Sequence, residues 1–348
     1  MTPDLFLALV RSGLYARPLA ADEQRFARQA TAAQWAAVVT EARRQTVLGQ
    51  IYQAVLLLPS DIKLPDPVIA TLFSDALRAV RQHYRIATET TAITERFREA
   101  GLSPVVMKGI SVARFYPHPE FRALGDIDLY LPKQELPQAL PLLEDASRAS
   151  DGSLHGRSNS IDIDLHDRYF DLHCASRNLP EIGTPEATLL MLSAHILKHA
   201  IGPGVGMRQL CDMAMVCRGL SGSFDPVQLR AVFRRTGTLR WNRLLFSFLV
   251  DWLGLEEPLF ARIFGSGRVS SAPLLQIVLE GGNFGHFAAG RLDRIAAGAS
   301  HRKRDTLQRF LHRLPFSLRY APRETFATIV TLLRGNLRTG RTGYPHET

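Results

Sequence analysis

Cysteine is scarce: Cys174, Cys211 and Cys217 are the only three in 348 residues, an odd number with no Cys-x-x-Cys spacing. A disulfide framework and a thiolate zinc cluster are thereby excluded as what holds the fold together. The core must come from the apolar residues, 46% of the composition, which a chain of this length can bury without help. No run of about 18 uncharged apolar residues occurs, so no segment is expected to span a bilayer. The opening Met1-Thr-Pro-Asp-Leu-Phe-Leu-Ala-Leu-Val has an acid where a signal peptide needs basic residues, and its apolar run stops at Arg11. A cytoplasmic location is the resulting expectation. Also missing are a Walker loop, a dinucleotide fingerprint, a nucleophile elbow of the Gly-x-Ser-x-Gly type and a His-Glu-x-x-His zinc motif, and with them the enzyme classes they mark. Internal repeats and low-complexity tracts are absent too.

What charge there is lies at one end. The net charge is +9, and residues Arg291 to Thr348 hold 12 Lys/Arg against 4 Asp/Glu, leaving 30 against 29 in the first 290 positions. Such a basic segment can attract nucleic acid, an acidic partner or a polyphosphate. Arg302-Lys303-Arg304 has no interleaved aromatics, which argues against single-strand recognition.

Periodicity predicts an α+β protein: a small mixed β-sheet core with helical segments before and after it. Residues 1–100 read as a helical N-terminal segment, 101–180 as the α/β core, 181–290 as a helical C-terminal domain and 291–348 as a basic helical tail. Helices are expected from Thr2-Pro3, over Asp22 to Arg44 and over Pro67 to Ala100. The core opens with the short strand Val105-Val106-Met107, runs at Lys108-Gly109 into a helix to about Tyr116, and stops at Pro117 and Pro119. Two stretches then alternate with period two, Asp126 to Leu131 and Ile161 to His166, with a helix over Lys133 to Ala146 between them and a possible further strand over Phe170 to Cys174. Helix returns at Thr184-Pro185-Glu186, which is cap, proline and first-turn acid in the preferred order, and continues over 207–219, 225–236 and 240–253. An amphipathic helix over Arg323 to Arg334 follows, and the last residues are expected to be disordered.

The chemistry concentrates between 105 and 166. Asp126 and Asp128 share one strand face opposite Ile127, Leu129 and Leu131, so both carboxylates can reach one or two hard dications. Magnesium takes one or two protein carboxylates and fills its other positions with water and phosphate oxygens. The same pattern also suits a solvated edge strand, but Gly125 beside the first acid leaves room for a phosphate. Met107-Lys108-Gly109-Ile110-Ser111 runs from a strand into a helix start, a junction that suits an anion and equally suits an ordinary turn. A third acid on a neighbouring strand would complete a two-metal site. Asp164 fits best, with Asp162 and Asp171 as competitors.

Lys108-Gly109, Tyr116-Pro117, Arg122, Gly125-Asp126-Ile127-Asp128-Leu129 and Ile163-Asp164-Leu165-His166 together resemble the uncharacterised nucleotidyltransferase family of the polymerase-beta-type superfamily. A weaker similarity continues through His195, His199 and Leu210-Cys211-Asp212, about 110 residues being covered well. The resemblance implies a small mixed sheet and an NTP–Mg2+ substrate, with Mn2+ as an alternative ion and ATP as the expected nucleotide. It implies that Asp126, Asp128 and Asp164 are catalytic and hold metal, Asp164 helping to activate an acceptor hydroxyl. Gly109 would lie against the triphosphate, with Lys108 and Arg122 as phosphate contacts; Ser111 and His166 are further nucleotide-binding candidates, His166 being equally able to orient a carboxylate or to serve a structural role. Gly109 is followed by Ile110 where the superfamily has serine, so Ser111 stands one place late. The acceptor is open among a small molecule, a peptide, a protein side chain and RNA.

Other residues carry competing readings. His195 and His199 at i and i+4 could form a zinc half-site, face a triphosphate together with Lys198, or simply pack between helices. Asp212 is expected to cap its helix or pair with Arg208 at the surface. At the level of the whole chain, the rivals to an enzyme are a catalytically inactive nucleotide-binding or regulatory module and a nucleic-acid binder using the basic tail.

Overall fold

The computed structural model describes residues 3–148, 154–173, 179–202, 204–282 and 310–339. Its architecture is α+β, as the periodicity predicts. Five strands form one mixed sheet among helices. Two compact units interleave along the chain: Met1–Phe170, Gly206–Gly222 and Leu249–Leu255 form the first, and Asp171–Val205, Ser223–Phe248 and Glu256–Thr348 the second.

The first unit begins with helices α1 (Pro3–Tyr15), α2 (Ala21–Gln29), α3 (Ala32–Gln45), α4 (Leu48–Leu56) and α5 (Asp66–Glu99). The single helix expected over Asp22 to Arg44 is thus two. Thr31 interrupts it, because its hydroxyl accepts from the Gln34 amide while the Gln34 side chain returns to the Thr31 amide, a reciprocal cap that starts α3 afresh. At 34 residues α5 matches its expected extent; Pro67 opens it and Gly101, at φ 77°, ends it.

The sheet order is β1 (Val105–Val106), β2 (Ile127–Tyr130), β5 (Ile161–His166), β4 (Leu154–Ser158) and β3 (Glu144–Arg148). β2 and β5 run parallel, and the other neighbours are antiparallel. One sheet face is apolar and packs on α5: Ile127, Leu129, Ile161, Ile163 and Leu165 share a buried cluster with Ile86, Ile93 and Phe97. Each such side chain contributes roughly 1.5–3 kcal/mol on burial. Alternation then commits Asp126, Asp128, Asp164 and His166 to the other face.

Three expectations need correction here. The helix predicted over Lys133 to Ala146 shrinks to Leu136–Ala139 and a 3-10 turn at Leu140–Leu142, since Pro141 denies an amide to any longer helix. Its last residues instead become β3, whose five side chains are all exposed. The helix expected from Gly109 to Tyr116 is only Ile110–Ala113, too short to carry a useful dipole. No strand forms over residues 170–173, and Cys174 lies outside the described residues, as do Arg302-Lys303-Arg304 and the last nine positions.

In the second unit, α8 (Pro185–Ile201) starts at the predicted cap, where Thr184 Oγ1 accepts from the Ala187 amide. α10 (Pro226–Arg235) is capped by Asp225. A buried polar knot ties α8 to α11 (Leu239–Leu253): Ser193 Oγ bonds Asn242 Oδ1, and Trp241 Nε1 donates to the Ser193 carbonyl. Helix Pro322–Thr339 extends past both ends of the stretch expected for it.

One packing detail reaches toward the site. Gly49 in α4 lies against the backbone of the turn Pro119–Phe121, and a Cβ there would fall 2.0 Å from the Phe121 carbonyl oxygen. Backbone cannot yield as a side-chain tip can. Gly49→Ala is therefore expected to destabilise the protein by about 1–3 kcal/mol. Gly222→Ala, where nothing stands within 4 Å, should leave the denaturation midpoint nearly unchanged.

Candidate active site

Three chain segments of the first unit converge on Asp128. β1 pairs with β2, and the Met107 amide extends that ladder to the Asp128 carbonyl at 3.1 Å. Lys108 follows at once, and its Nζ reaches Asp128 Oδ1 at 2.9 Å. From β5, His166 Nε2 lies 2.7 Å from the same oxygen. Asp128 is 8% exposed. Burial alone would raise its pKa, but Lys108 and His166 outweigh that and hold the carboxyl well below its ordinary range.

Parallel register sets the second acid. Asp128 is the partner of Asp164 across β2 and β5, so two carboxylates stand side by side. On the far side, Asp164 is the partner of His155 in β4, and His155 Nδ1 lies 2.6 Å from Asp164 Oδ1. Asp126 precedes β2 and faces solvent. Its carboxyl is nevertheless raised, first by the hydration it loses and then by the charges of Asp128 and Asp164. Arg208 and Lys108 pull it the other way without cancelling the effect.

Gly109 turns the chain beside these acids at φ 64° and ψ −112°, a conformation that L side chains rarely adopt. The nearest atoms to a Cβ built there are Leu124 Cδ2 at 3.6 Å and the Asp126 carbonyl oxygen at 3.7 Å, so glycine is required for the dihedral and not for space. Ser111 Oγ donates back to the Met107 carbonyl at 3.0 Å, which occupies its proton within the turn.

Arg122 is buried, with its guanidinium engaged by the protein. Nε and Nη2 donate to Asp212 Oδ1 and Oδ2 at 3.1 and 2.6 Å, and Nη1 donates to the Ala123 carbonyl. Tyr116 Oη donates to Asp212 Oδ1 at 2.7 Å. Tyr116, Arg122 and Asp212, drawn from separate parts of the family resemblance, are thus one buried knot. The surface pairing expected for Asp212 is corrected: its helix α9 (Met207–Gly219) buries it at 5% exposure. Burial works against the charge of Arg122, yet Asp212 more than offsets this and raises its pKa. Burial, and next the Asp212 carboxylate, push the Tyr116 hydroxyl well above its usual range. Arg208, one helical turn before Asp212, donates to the Ala123 carbonyl at 3.3 Å and is lowered by burial and then by Arg122.

The competitors for the third acid have other partners. Asp162 is exposed and pairs with Arg157 at 3.4 Å. Asp171 belongs to the second unit, where His195 Nδ1 and Lys198 Nζ lie 3.0 and 2.9 Å from its two oxygens. Burial would raise that carboxyl, and its contacts with His195 and then Lys198 bring it far down. His173 binds the buried Glu324 through both its amide and Nδ1. The His195 and His199 rings meet edge to face at 4.5 Å, and His195 is engaged by Asp171.

A cleft of about 530 Å³ opens over Asp126, Gly125, His155 and Asp164 and continues past Arg157 and Asp162, a size that suits a small substrate. Ligand atoms of Asp128, Asp164 and His166 all lie within 4.8 Å of one another, the one such group among the described residues. Two paired carboxylates with an imidazole beside them are a donor set that fits a divalent cation. His155 and Arg208 went unremarked as site residues in the sequence. His155 sits in a strand that ends at the two-residue turn Asn159-Ser160, both at positive φ, a weak form of the Asn-Gly hairpin signal that could have revealed it.

Two acids side by side on parallel strands, one of them lining a cleft in an α+β fold, define a candidate cation-assisted group-transfer site. The chain belongs to a family described as uncharacterised nucleotidyltransferase, whose pattern matches residues 31–254, well over half its length. Comparison with curated proteins and with solved structures gave no match. Membership supports nucleotidyl transfer as the general chemistry.

The knot around Asp212 carries a prediction. Asp212→Ala would strand a buried guanidinium and should cost about 3–5 kcal/mol in chemical denaturation. Pairing it with Arg122→Met should recover much of that loss, since the unpaired charge then goes as well.

Proposed function

We propose that the protein is a Mg2+- or Mn2+-dependent nucleotidyltransferase that moves the NMP group of an NTP, ATP in the simplest case, to an acceptor hydroxyl and releases pyrophosphate. The observation that carries this is the in-register pair Asp128–Asp164, with Asp126 close enough to feel both charges, and with Asp126 and Asp164 lining a cleft. Asp126, Asp128 and Asp164 would hold the metal. When bound, it offsets charge on the phosphates and makes the acceptor hydroxyl easier to deprotonate.

The remaining roles belong to the chain. Lys108 and His166 keep Asp128 ionised and oriented through Oδ1. His155 fixes Asp164 through its Nδ1 contact, and Asp164 accepts the proton of the attacking hydroxyl. The turn at Gly109 presents backbone to the triphosphate, with Lys108 as the adjacent full charge. Arg122 acts by position: neutralised by Asp212, it anchors the segment that leads into Asp126. Catalysis then consists mainly of alignment and charge placement.

Incubation of the protein with each α-labelled NTP, divalent cation and cell extract should transfer label to an acceptor. Asp128→Asn and Asp164→Asn, checked for retained fold, should each lower turnover by about 10³-fold or more. Bound nucleotide with no transfer in wild type, and a cellular effect that survives Asp128→Asn, would instead identify an inactive binding module.

A further inference from the structure

We infer that His166 is itself a metal ligand, so that the centre is a mixed Asp128–Asp164–His166 set selecting a first-row transition dication over Mg2+. This rests on the metal-dependent reading above and extends it to the identity of the ion. Oxygen from Asp128 and Asp164 and nitrogen from His166 already lie within 4.8 Å of one another. Donors bound to one small dication at about 2.1 Å lie roughly 3.0 Å apart when adjacent and at most about 4.2 Å when opposite, so modest side-chain shifts bring all three onto one ion.

Position favours the imidazole. His166 Nε2 points at the carboxylate edge of Asp128, 2.7 Å from Oδ1, where without metal it donates a proton to that oxygen; an ion would take the place of this proton, the ring keeping its other proton on Nδ1 and turning the freed lone pair to the metal. Both carboxylates have a further partner that orients them, Asp128 Oδ1 in Lys108 at 2.9 Å and Asp164 Oδ1 in His155 at 2.6 Å, as metal-binding carboxylates commonly do. Asp126 lies outside the group that meets this distance.

The ion follows from the donor set. Mg2+ is hard, keeps oxygen ligands and gives up its water reluctantly, so an imidazole contributes little to its binding. First-row transition dications accept imidazole nitrogen readily and bind mixed nitrogen–oxygen sites more tightly. Replacing the nitrogen donor with oxygen should therefore reverse the preference.

Mn2+ is the probe, because it is paramagnetic. The full-length protein, with and without a non-hydrolysable ATP analogue, is titrated with Mn2+ by electron paramagnetic resonance, and bound Mn2+ is then competed with Mg2+. Pulsed spectra of wild type should show modulation from a directly bound 14N nucleus, which persists in His195→Asn and vanishes in His166→Asn. The preference for Mn2+ over Mg2+ should fall by about ten- to a hundredfold in His166→Asn, and in His166→Asp the site should move toward Mg2+. Circular dichroism confirms the fold of each variant, and 15N-histidine labelling of wild type tests nitrogen ligation without any substitution. Tight Mn2+ binding with no nitrogen coupling, and a selectivity unchanged in both His166 variants, would overturn the inference and leave an oxygen-only transferase site standing. Absence of divalent-cation binding to wild type under every condition would overturn both this inference and the metal-dependent reading beneath it.

Discussion

Parallel pairing of β2 with β5 is the constraint on which the site depends, because it sets two negative charges against each other and holds them there. Two carboxylates within 4.8 Å repel by about 3–4 kcal/mol at an effective dielectric near 20. Ile127, Leu129, Ile163 and Leu165 on the opposite face, packed against α5, contribute roughly 1.5–3 kcal/mol apiece. Packing therefore wins. Because side chains alternate, a slip of one residue in either strand would bury the acids and expose the apolar set, so the same packing that overcomes the repulsion also fixes the register.

The buried knot of Tyr116, Arg122 and Asp212 serves a different end. It joins positions 96 and 90 residues apart in sequence, and it fastens the stretch from the end of α6 (Ile110–Ala113) to Asp126 onto α9. A buried ion pair contributes little net stability over an apolar equivalent, since desolvation takes back most of the attraction. Its value here is geometric. Arg122 stands four residues before the first acid, and Gly49 presses on the turn just before it, so the approach to Asp126 is held from both sides.

The acidic strands were legible in the sequence because period-two alternation at Asp126 to Leu131 and Ile161 to His166 states the face of every side chain. Register was not legible, since nothing local says which residue of β5 stands beside Asp128. Asp164 was the best fit for the third acid, but Asp162 and Asp171 stayed in competition with it until β2 and β5 were paired. β3 left no trace because all five of its side chains are exposed and no apolar alternation marks it. His155 was hidden for the related reason that its strand is recognised only through its partner. The alternation at Phe170 to Cys174 misled in the other direction: Asp171 and His173 are spaced for partners in α8 and at Glu324, not for a sheet. At Lys108-Gly109, strand-to-helix punctuation was read correctly but the helix was overrated, because four residues end where the chain turns at Arg114 to Tyr116.

Charge balance within the first unit constrains how substrate and ion must enter. Asp126, Asp128 and Asp164 face a single lysine, which is already committed to Asp128, while Arg122 is neutralised by Asp212. Arg208 and Lys108 together still leave the Asp126 carboxyl raised. A triphosphate brought alone to such a site adds negative charge to a place with a deficit of positive charge, and a dication brought alone leaves its remaining coordination positions to water. On the proposed reading, each therefore improves the site for the other, and linkage requires the improvement to be equal in both directions. A cation offsetting the charge of Asp128 also weakens the hold of that carboxylate on Lys108, which stands next to the Gly109 turn where the phosphates would lie. The metal and the nucleotide then form one ligand in thermodynamic terms, and Lys108 is the group whose partner changes when that ligand arrives.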